Sequence, residues 1–261
     1  ADGHLLILLD RHGPAWPTAR KATESDTPTI IFCPIGASFT TNTVRLAGKT
    51  GTVIYSSTEF DQALYGLKML EAGARLKKTR CLELKGANQK DSKLADLGIT
   101  VHRIPVETYV RTYKNTPEND AVKALARDCE KRARKRTNAS RQDVIDGARA
   151  WMAAREIIRR EKADAITMDC LGMASENEDV CLPCMAWSRF NDHALPAICE
   201  ADHGAVASHI IVQFLFGRPG LRHAPVPDVA ADAVFGSCCS CATILAGFDD
   251  RRCHPFEKRR R

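Results

Sequence analysis

The sequence contains neither of the glycine-rich patterns that hold phosphates in many α/β proteins. It has no GxGxxG stretch and no GxxxxGK[ST] stretch, which excludes a standard dinucleotide fingerprint and a nucleoside-triphosphate P-loop. Its longest apolar runs fall far short of the roughly 20 residues that a membrane-spanning helix needs, so we expect no membrane partner. Internal repeats and low-complexity tracts are also absent.

A secretory leader is not expected either, because the apolar start of the chain carries no basic n-region. Cysteine, in contrast, is abundant, with 11 residues. Several of them lie in apolar runs typical of strands: Cys33, Cys81, Cys170 and Cys199. Disulfides are rare in reducing compartments, so this usage predicts a cytoplasmic protein with buried free thiols.

The overall composition is that of an ordinary globular protein, with 44% hydrophobic and 27% charged residues. The formal net charge is +6, and much of the excess lies in Lys131–Arg136 (KRARKR) and Lys258–Arg261 (KRRR). Such clusters bind nucleic acid in some proteins and form solvated helix faces or termini in others. We favour the solvated surface and do not expect a nucleic-acid partner.

Strand-like and helix-like segments alternate along the chain. Strands are predicted at 4–9, 29–33, 51–56, 80–85, 100–104, 163–171 and 196–199, and helices at 59–73, 92–97, 116–136, 141–162 and 204–216. This alternation predicts an α/β fold with doubly wound parallel sheets of the Rossmann or flavodoxin type. The break near Asn138 predicts two such units, 1–138 and 139–261.

The most informative stretch runs from Pro196 to Asp228. A short apolar run is followed at once by Glu200 and Asp202, then by a helix-like segment and a Pro/Gly-rich loop that closes on Asp228. An acid after a strand and before a helix occupies the usual position of a site in an open α/β sheet. Glu200 and Asp228 could converge there, and a carboxylate pair of this kind suits Mg²⁺ or Mn²⁺.

Two other aspartates, Asp169 and Asp202, are candidate third members of this carboxylate group. Asp169 lies near the end of the strand predicted at 163–171, and Asp202 follows Glu200 closely. The alternative from spacing alone is structural, because acids at strand ends also cap helices or pair with arginines such as Arg189 and Arg218.

Three segments carry a resemblance to a known family: Ala165–Gly172 (AITMDCLG), Leu182–Asp192 (LPCMAWSRFND) and the stretch from Pro196 to Asp228. Together they resemble the middle domain of the L-fucose/L-arabinose isomerase family, in particular a subfamily of isomerase-like bacterial proteins. The resemblance implies metal-assisted interconversion of an aldose and a ketose by proton transfer through an enediolate. It also implies Mn²⁺ and a homo-oligomer.

The same resemblance assigns roles to individual residues. Glu200 is expected to be the base and a metal ligand, with Asp228 as the second acid on the metal. Asp202, His203 and Arg189 are expected to contact the aldose or ketose sugar.

The sequence also departs from the family pattern. Family members carry an Asp near Ala224 and a His near Cys238, and they continue into a C-terminal domain that supplies part of the sugar pocket. We therefore expect a fragment, a truncated relative or half of a site that another chain completes. An inactive sugar-binding or assembly module of the same ancestry is the alternative function.

A second alternative comes from the cysteines. A CxxC pair and a further close group can bind Zn²⁺ tetrahedrally, and the residues concerned are Cys181, Cys184, Cys238, Cys239, Cys241, Cys253 and His254. Their apolar surroundings favour buried thiols instead. With the basic clusters, they leave open a zinc-stabilised, nucleic-acid-binding protein.

Overall fold

The computed structural model describes residues 2–10, 14–38, 41–133 and 139–217, and the backbone of 226–228 and 233–235. The chain divides into two compact units, Ala1–Lys78 and Thr79–Arg261. Among the described helices, none is both long and apolar enough to cross a membrane.

The first unit is a three-stranded parallel sheet with helices between its strands. The sheet has the order β1-β2-β3, and the elements are β1 (His4–Ile7), α1 (Ala15–Ala22), β2 (Thr29–Cys33), α2 (Ile35–Ser38), α3 (Thr41–Ala47), β3 (Thr52–Ser56) and α4 (Asp61–Leu76). All five residues of β2 are buried, as expected for a central strand covered on both faces. Ile31 packs with Trp16 and Leu46 on one face, and Ile30 lies against Gly66 of α4 on the other.

The second unit contains a five-stranded sheet of order β5-β6-β4-β7-β8. Its elements are β4 (Arg80–Leu84), β5 (Lys90–Leu94), β6 (Ile99–Ile104), α5 (Glu107–Asn115), α6 (Asp120–Arg132), α7 (Arg141–Glu161), β7 (Ala165–Met168), α8 (Cys170–Glu176), α9 (Cys184–Asp192), β8 (Ala197–Cys199) and α10 (His203–Phe216). Two further strands, β9 (Val226–Asp228) and β10 (Ala233–Phe235), form an antiparallel pair.

The order of the four parallel strands determines where a site can form. The chain passes from β4 to β6 on one side, and later to β7 and β8 on the other. The connections after β4 and β7 therefore lead in opposite directions, which creates a crevice at the carboxyl ends of these two strands. This is the flavodoxin-like strand order, and the predicted doubly wound α/β fold is confirmed.

Alternate residues of the central strands face different layers. Leu82 and Leu84 point into the main core, where they meet Trp187 of α9 and Ile157 of α7. Glu83, between the two leucines, points to the opposite face, which α10 covers. The two faces thus differ in chemistry, one apolar and one with a buried charge.

The predicted unit boundary near Asn138 differs from the structure, which divides the chain after Lys78. Strand β4 pairs with β7 in parallel, so segments on both sides of position 138 share one sheet. Helices α6 and α7, which flank the break, pack against each other through Val122 and Val144. The break between two helices therefore marks a turn within a unit.

The helix predicted at 92–97 is also corrected. The chain forms β5 at Lys90–Leu94, paired antiparallel with β6. Most of its residues are exposed, because it is an edge strand. Hydrogen bonds to β6 outweigh the weak local preference of such a polar segment.

Candidate functional site

Two predicted site residues lie at the carboxyl edge of the five-stranded sheet. Asp169 directly follows β7, and Glu200 directly follows β8. The register pairs Met168 with Cys199, so the two acids leave neighbouring strands at the same edge. This edge also contains the crevice between β4 and β7.

The backbone at Glu200 adopts a conformation that side chains disfavour. Glu200 has φ +67° and Ala201 has φ +50°, both in the left-handed region. Each such residue costs about 1–2 kcal/mol relative to extended or right-handed backbone. The Ala201 N–H donates to the Met168 carbonyl at 3.1 Å, which holds the turn against β7. Strain of this kind is concentrated at ligand sites, where surrounding structure maintains it.

The neighbouring aspartates act as helix caps. Asp169 accepts the Gly172 N–H at 3.0 Å, and Asp202 accepts the Ala205 N–H at 2.9 Å. These are the bonds by which an N-cap satisfies the first turn of a helix. Asp169 and Asp202 therefore have the helix-capping role that the sequence analysis gave as the structural alternative to a carboxylate site.

His203, the first residue of α10, contacts a buried carboxylate that the sequence did not single out. Its Nε2 lies 3.0 Å from Oε1 of Glu83, whose side chain is 1% exposed. The other oxygen of Glu83 accepts the Nε–H of Arg103 at 2.6 Å. The carboxylate is thus held between a histidine and an arginine, with the His203 ring 35% exposed.

This arrangement fixes the chemistry available to His203. When Nε2 donates to a carboxylate, the other ring nitrogen becomes an acceptor that can take a proton. Within the described part of the chain, Nδ1 of His203 has no hydrogen-bond partner. His203 follows β8, yet it reaches Glu83 on β4, so its ring lies over the strands that border the crevice.

A polar row crosses the sheet beneath α10. Arg103, Glu83 and Thr167 are register partners on β6, β4 and β7. Thr167 is fully buried, and its hydroxyl has no hydrogen-bond partner among the described residues. One signal for this row was present in the sequence: an acid in the middle of the buried strand RCLELK, where parallel strands are usually apolar throughout.

Arg189 makes its contacts away from the carboxyl edge, with residues of α6 and α7. Its Nη1 donates to Oδ2 of Asp128 at 3.0 Å, and its guanidinium lies 5.5 Å from the centre of the Trp151 ring. These bonds connect α9 to α6 and to α7. Among the described residues, the structure does not bring Arg189 to Glu200 or Asp202.

Asp228 ends β9, where it pairs with Ala233 of β10. Its side chain lies outside the described residues, so its convergence with Glu200 stays a prediction. Other predicted features outside them are residues 134–136 of the basic cluster Lys131–Arg136, Arg218, Ala224, the cluster Lys258–Arg261, and the cysteines from 238 onward with His254.

Within residues 2–217 as described, no three His, Cys, Asp or Glu side chains gather closely enough to hold a metal ion. Asp169 and Asp202 are engaged as caps, so these residues alone do not make a manganese site. The pair of Glu200 and Asp228 stays a prediction.

The CxxC pair is equally incomplete as a zinc site. Burial raises the pKa of Cys181 and of Cys184 to about 12, which favours the thiol over the thiolate that zinc binds. Its predicted partners lie outside the described residues, so the zinc alternative stays a prediction.

Two other thiols meet at the edge beside Glu200. A hydrogen bond with the Cys199 thiol lowers the pKa of Cys170, and a hydrogen bond from the Glu200 N–H lowers it further. Both side chains are 2% exposed. The thiol pair therefore belongs to the interior wall of the edge, directly beneath the strained turn.

Comparison with models of known protein families finds no match to this chain, and comparison with curated proteins finds none either.

Proposed function

We propose that the second unit is a sugar isomerase-like catalytic unit that interconverts an aldose and a ketose at the edge around Glu200. The observation that carries the proposal is the left-handed turn at Glu200–Ala201, which follows β8 and precedes the His203–Glu83 pair. The resemblance of the surrounding segments to sugar isomerases supports it. In this proposal Glu200 is the base, and it moves a proton between two adjacent sugar carbons.

His203 has a second role in the proposed reaction. Interconversion through an enediolate shifts a proton between the two sugar oxygens as well as between the carbons. With Nε2 oriented by Glu83, Nδ1 of His203 would accept a hydroxyl proton from the sugar and return it. Arg103 would keep the Glu83 carboxylate oriented during this exchange.

Mn²⁺ and Asp228 enter the proposal from the resemblance alone. The described residues do not complete a metal site, and no step above requires one. Metal binding is therefore measured separately from turnover.

The deciding experiment follows solvent deuterium into L-fucose and L-arabinose by NMR, with and without added Mn²⁺. The full chain should exchange the hydrogen next to the carbonyl carbon, and Glu200→Gln should abolish the exchange. Glu176→Gln is the matched control, because Glu176 is exposed on α8 and is not part of the proposed site. Equal exchange in both variants would reject Glu200 as the base, and no exchange in the unaltered chain would reject the enzyme.

Calorimetric titration with Mn²⁺ on the same three proteins tests the metal. Binding that Glu200→Gln removes and Glu176→Gln retains would support the pair of Glu200 and Asp228. Binding that is equal in all three proteins would place the metal elsewhere.

An inactive sugar-binding or assembly module is the second candidate. It is favoured because three predicted site residues make structural bonds. Asp169 and Asp202 cap helices, and Arg189 pairs with Asp128. Sugar binding without deuterium exchange would support it. Light scattering on the full chain tests the homo-oligomer that the resemblance implies.

A further inference from the structure

A surface groove between α5 and α7 is lined with arginines. Its volume is about 530 Å³, which falls within the range of about 300–1,000 Å³ that is typical of small-molecule sites. Arg111 comes from α5, and Arg155, Arg159 and Arg160 come from the last turns of α7. None of these residues belongs to the proposed isomerase site.

The charges in this groove are poorly balanced. Glu156 is the single carboxylate in its lining. Arg160 pairs with Glu161 at 3.0 Å, whereas Arg111, Arg155 and Arg159 have no carboxylate partner among the described residues. Like charges that share a concave surface repel each other, and a bound anion relieves that repulsion.

The geometry of the arginines favours phosphate. Arg155 and Arg159 lie one helical turn apart, which spaces their backbones by about 6 Å along α7. The Arg155 guanidinium lies 5.1 Å from the centre of the Trp151 ring, so its orientation is restrained. A restrained guanidinium presents two parallel N–H donors, which match two oxygens of a phosphate group.

The groove also offers a surface to an uncharged group. Met152 and Pro117 supply apolar contact, and Asn115 and Thr116 supply polar groups beside it. A ligand with both a phosphate chain and an organic part would use both kinds of surface.

We propose that this groove binds a small organic polyphosphate, such as a nucleoside diphosphate. The phosphates contact Arg111, Arg155 and Arg159, and the organic part lies against Met152 and Pro117. The absence of a P-loop and of GxGxxG does not conflict with this mode, because side-chain guanidinium groups replace the backbone N–H groups of those motifs.

The test measures the binding of ADP and of inorganic pyrophosphate to the full chain by calorimetry at low salt. The double variant Arg111→Gln/Arg159→Gln should weaken the affinity for ADP and for pyrophosphate by at least about tenfold. The control is Arg20→Gln/Arg45→Gln, which removes the same charge from two exposed arginines of α1 and α3. Circular dichroism should show that both double variants are folded.

The outcomes separate the sources of affinity. Tighter binding of ADP than of pyrophosphate, reduced by Met152→Ala, supports contact with an organic part. Equal binding of the two probes, or an equal loss in both double variants, would overturn the proposal, as would no binding of either probe. A single-stranded oligonucleotide that binds more tightly than ADP and is lost in Arg111→Gln/Arg159→Gln would assign the groove to nucleic acid instead.

Discussion

Glu83 is the residue whose side chain joins two strands and a helix around the proposed site. It bonds to Arg103 on the neighbouring strand and to His203 on α10, with its own side chain 1% exposed. A buried carboxylate is tolerated only where its oxygens have such partners. Its charge is therefore tied to both stability and the orientation of His203.

Replacing Glu83 by Gln should lower the free energy of unfolding by about 1.5–3 kcal/mol, the usual value of hydrogen bonds to a charged group. The amide keeps the shape of the side chain but loses the charge opposite Arg103. Urea denaturation measures the change, and Glu176→Gln on the exposed end of α8 is the control. A variant as stable as this control would show that the Glu83 contacts contribute nothing.

Gly172 is required by the cap that Asp169 makes. A Cβ at this position would lie 2.8–2.9 Å from atoms of the Asp169 carboxyl group, closer than real contacts allow. Gly172→Ala should therefore break the cap and cost about 1 kcal/mol in unfolding free energy. Gly73→Ala is the contrast, because nothing lies within 4 Å of its added Cβ in α4, and it should be neutral or stabilising. Equal effects of the two substitutions would contradict this account.

At the scale of elements, α7 is the longest helix that the structure describes, and it has a well-defined start. Ser140 accepts the Asp143 N–H at 3.1 Å, and Asp143 accepts the Ser140 N–H at 2.7 Å. This reciprocal pair is a capping box. Small residues, among them Ala150 and Ala154, then let the helix pack closely within the main core.

Ser140→Ala should destabilise the protein by about 1 kcal/mol, because it leaves the Asp143 N–H without its side-chain acceptor. Ser208→Ala is the matched control: its hydroxyl donates only to the Gly204 carbonyl of the same helix, at an exposed position. The control should change stability by less than about 0.5 kcal/mol. Thermal or urea unfolding compares the two variants, and an equal loss of unfolding free energy in both would count against a stabilising role of the capping box.

The elements show why helix and strand boundaries were only partly predictable. Apolar residues at helical spacing indicated α4 and α7, and short apolar runs indicated the central strands, because both patterns follow from burial along the chain. The edge strand β5 has no such pattern, since its side chains are exposed and its partner is β6. The predicted division near Asn138 was drawn where two helices meet, but only the pairing of β4 with β7 shows that both segments share a sheet.

For the whole molecule, buried thiols link stability to alkaline pH. Burial raises the pKa of Cys81, Cys181 and Cys184 to about 12 from an ordinary value of 9.0. Above pH 9 these thiols ionise in the unfolded chain but stay protonated in the folded one. The contribution of these protonated thiols to the free energy of unfolding is complete below pH 9. It is lost as the pH rises toward 12, by up to about 1.4 kcal/mol per thiol and pH unit.

The free energy of unfolding should therefore fall between pH 8 and about pH 10, and Cys81→Ala should reduce the fall. Cys170→Ala is the control, because Cys170 is equally buried but its pKa is lowered, so its contribution grows up to pH 9.0. Urea denaturation at the two pH values gives the comparison. A fall that Cys81→Ala leaves unchanged would contradict the assignment.

The α/β class and the position of Glu200 directly after a strand could be predicted from the sequence, because apolar runs and the residues that end them are local properties. Asp169 was predicted near the end of a strand at 163–171, whereas β7 ends at Met168 and Asp169 caps the next helix. The acid at position 83 stands within an apolar strand, but it was not singled out from the sequence. The contacts of Glu83 with Arg103 and His203 follow from the three-dimensional fold alone. The two residues of the Glu83–His203 pair are 120 positions apart, and their contact depends on the order and register of β6, β4, β7 and β8. Strand order results from the packing of the whole sheet, which no local pattern encodes.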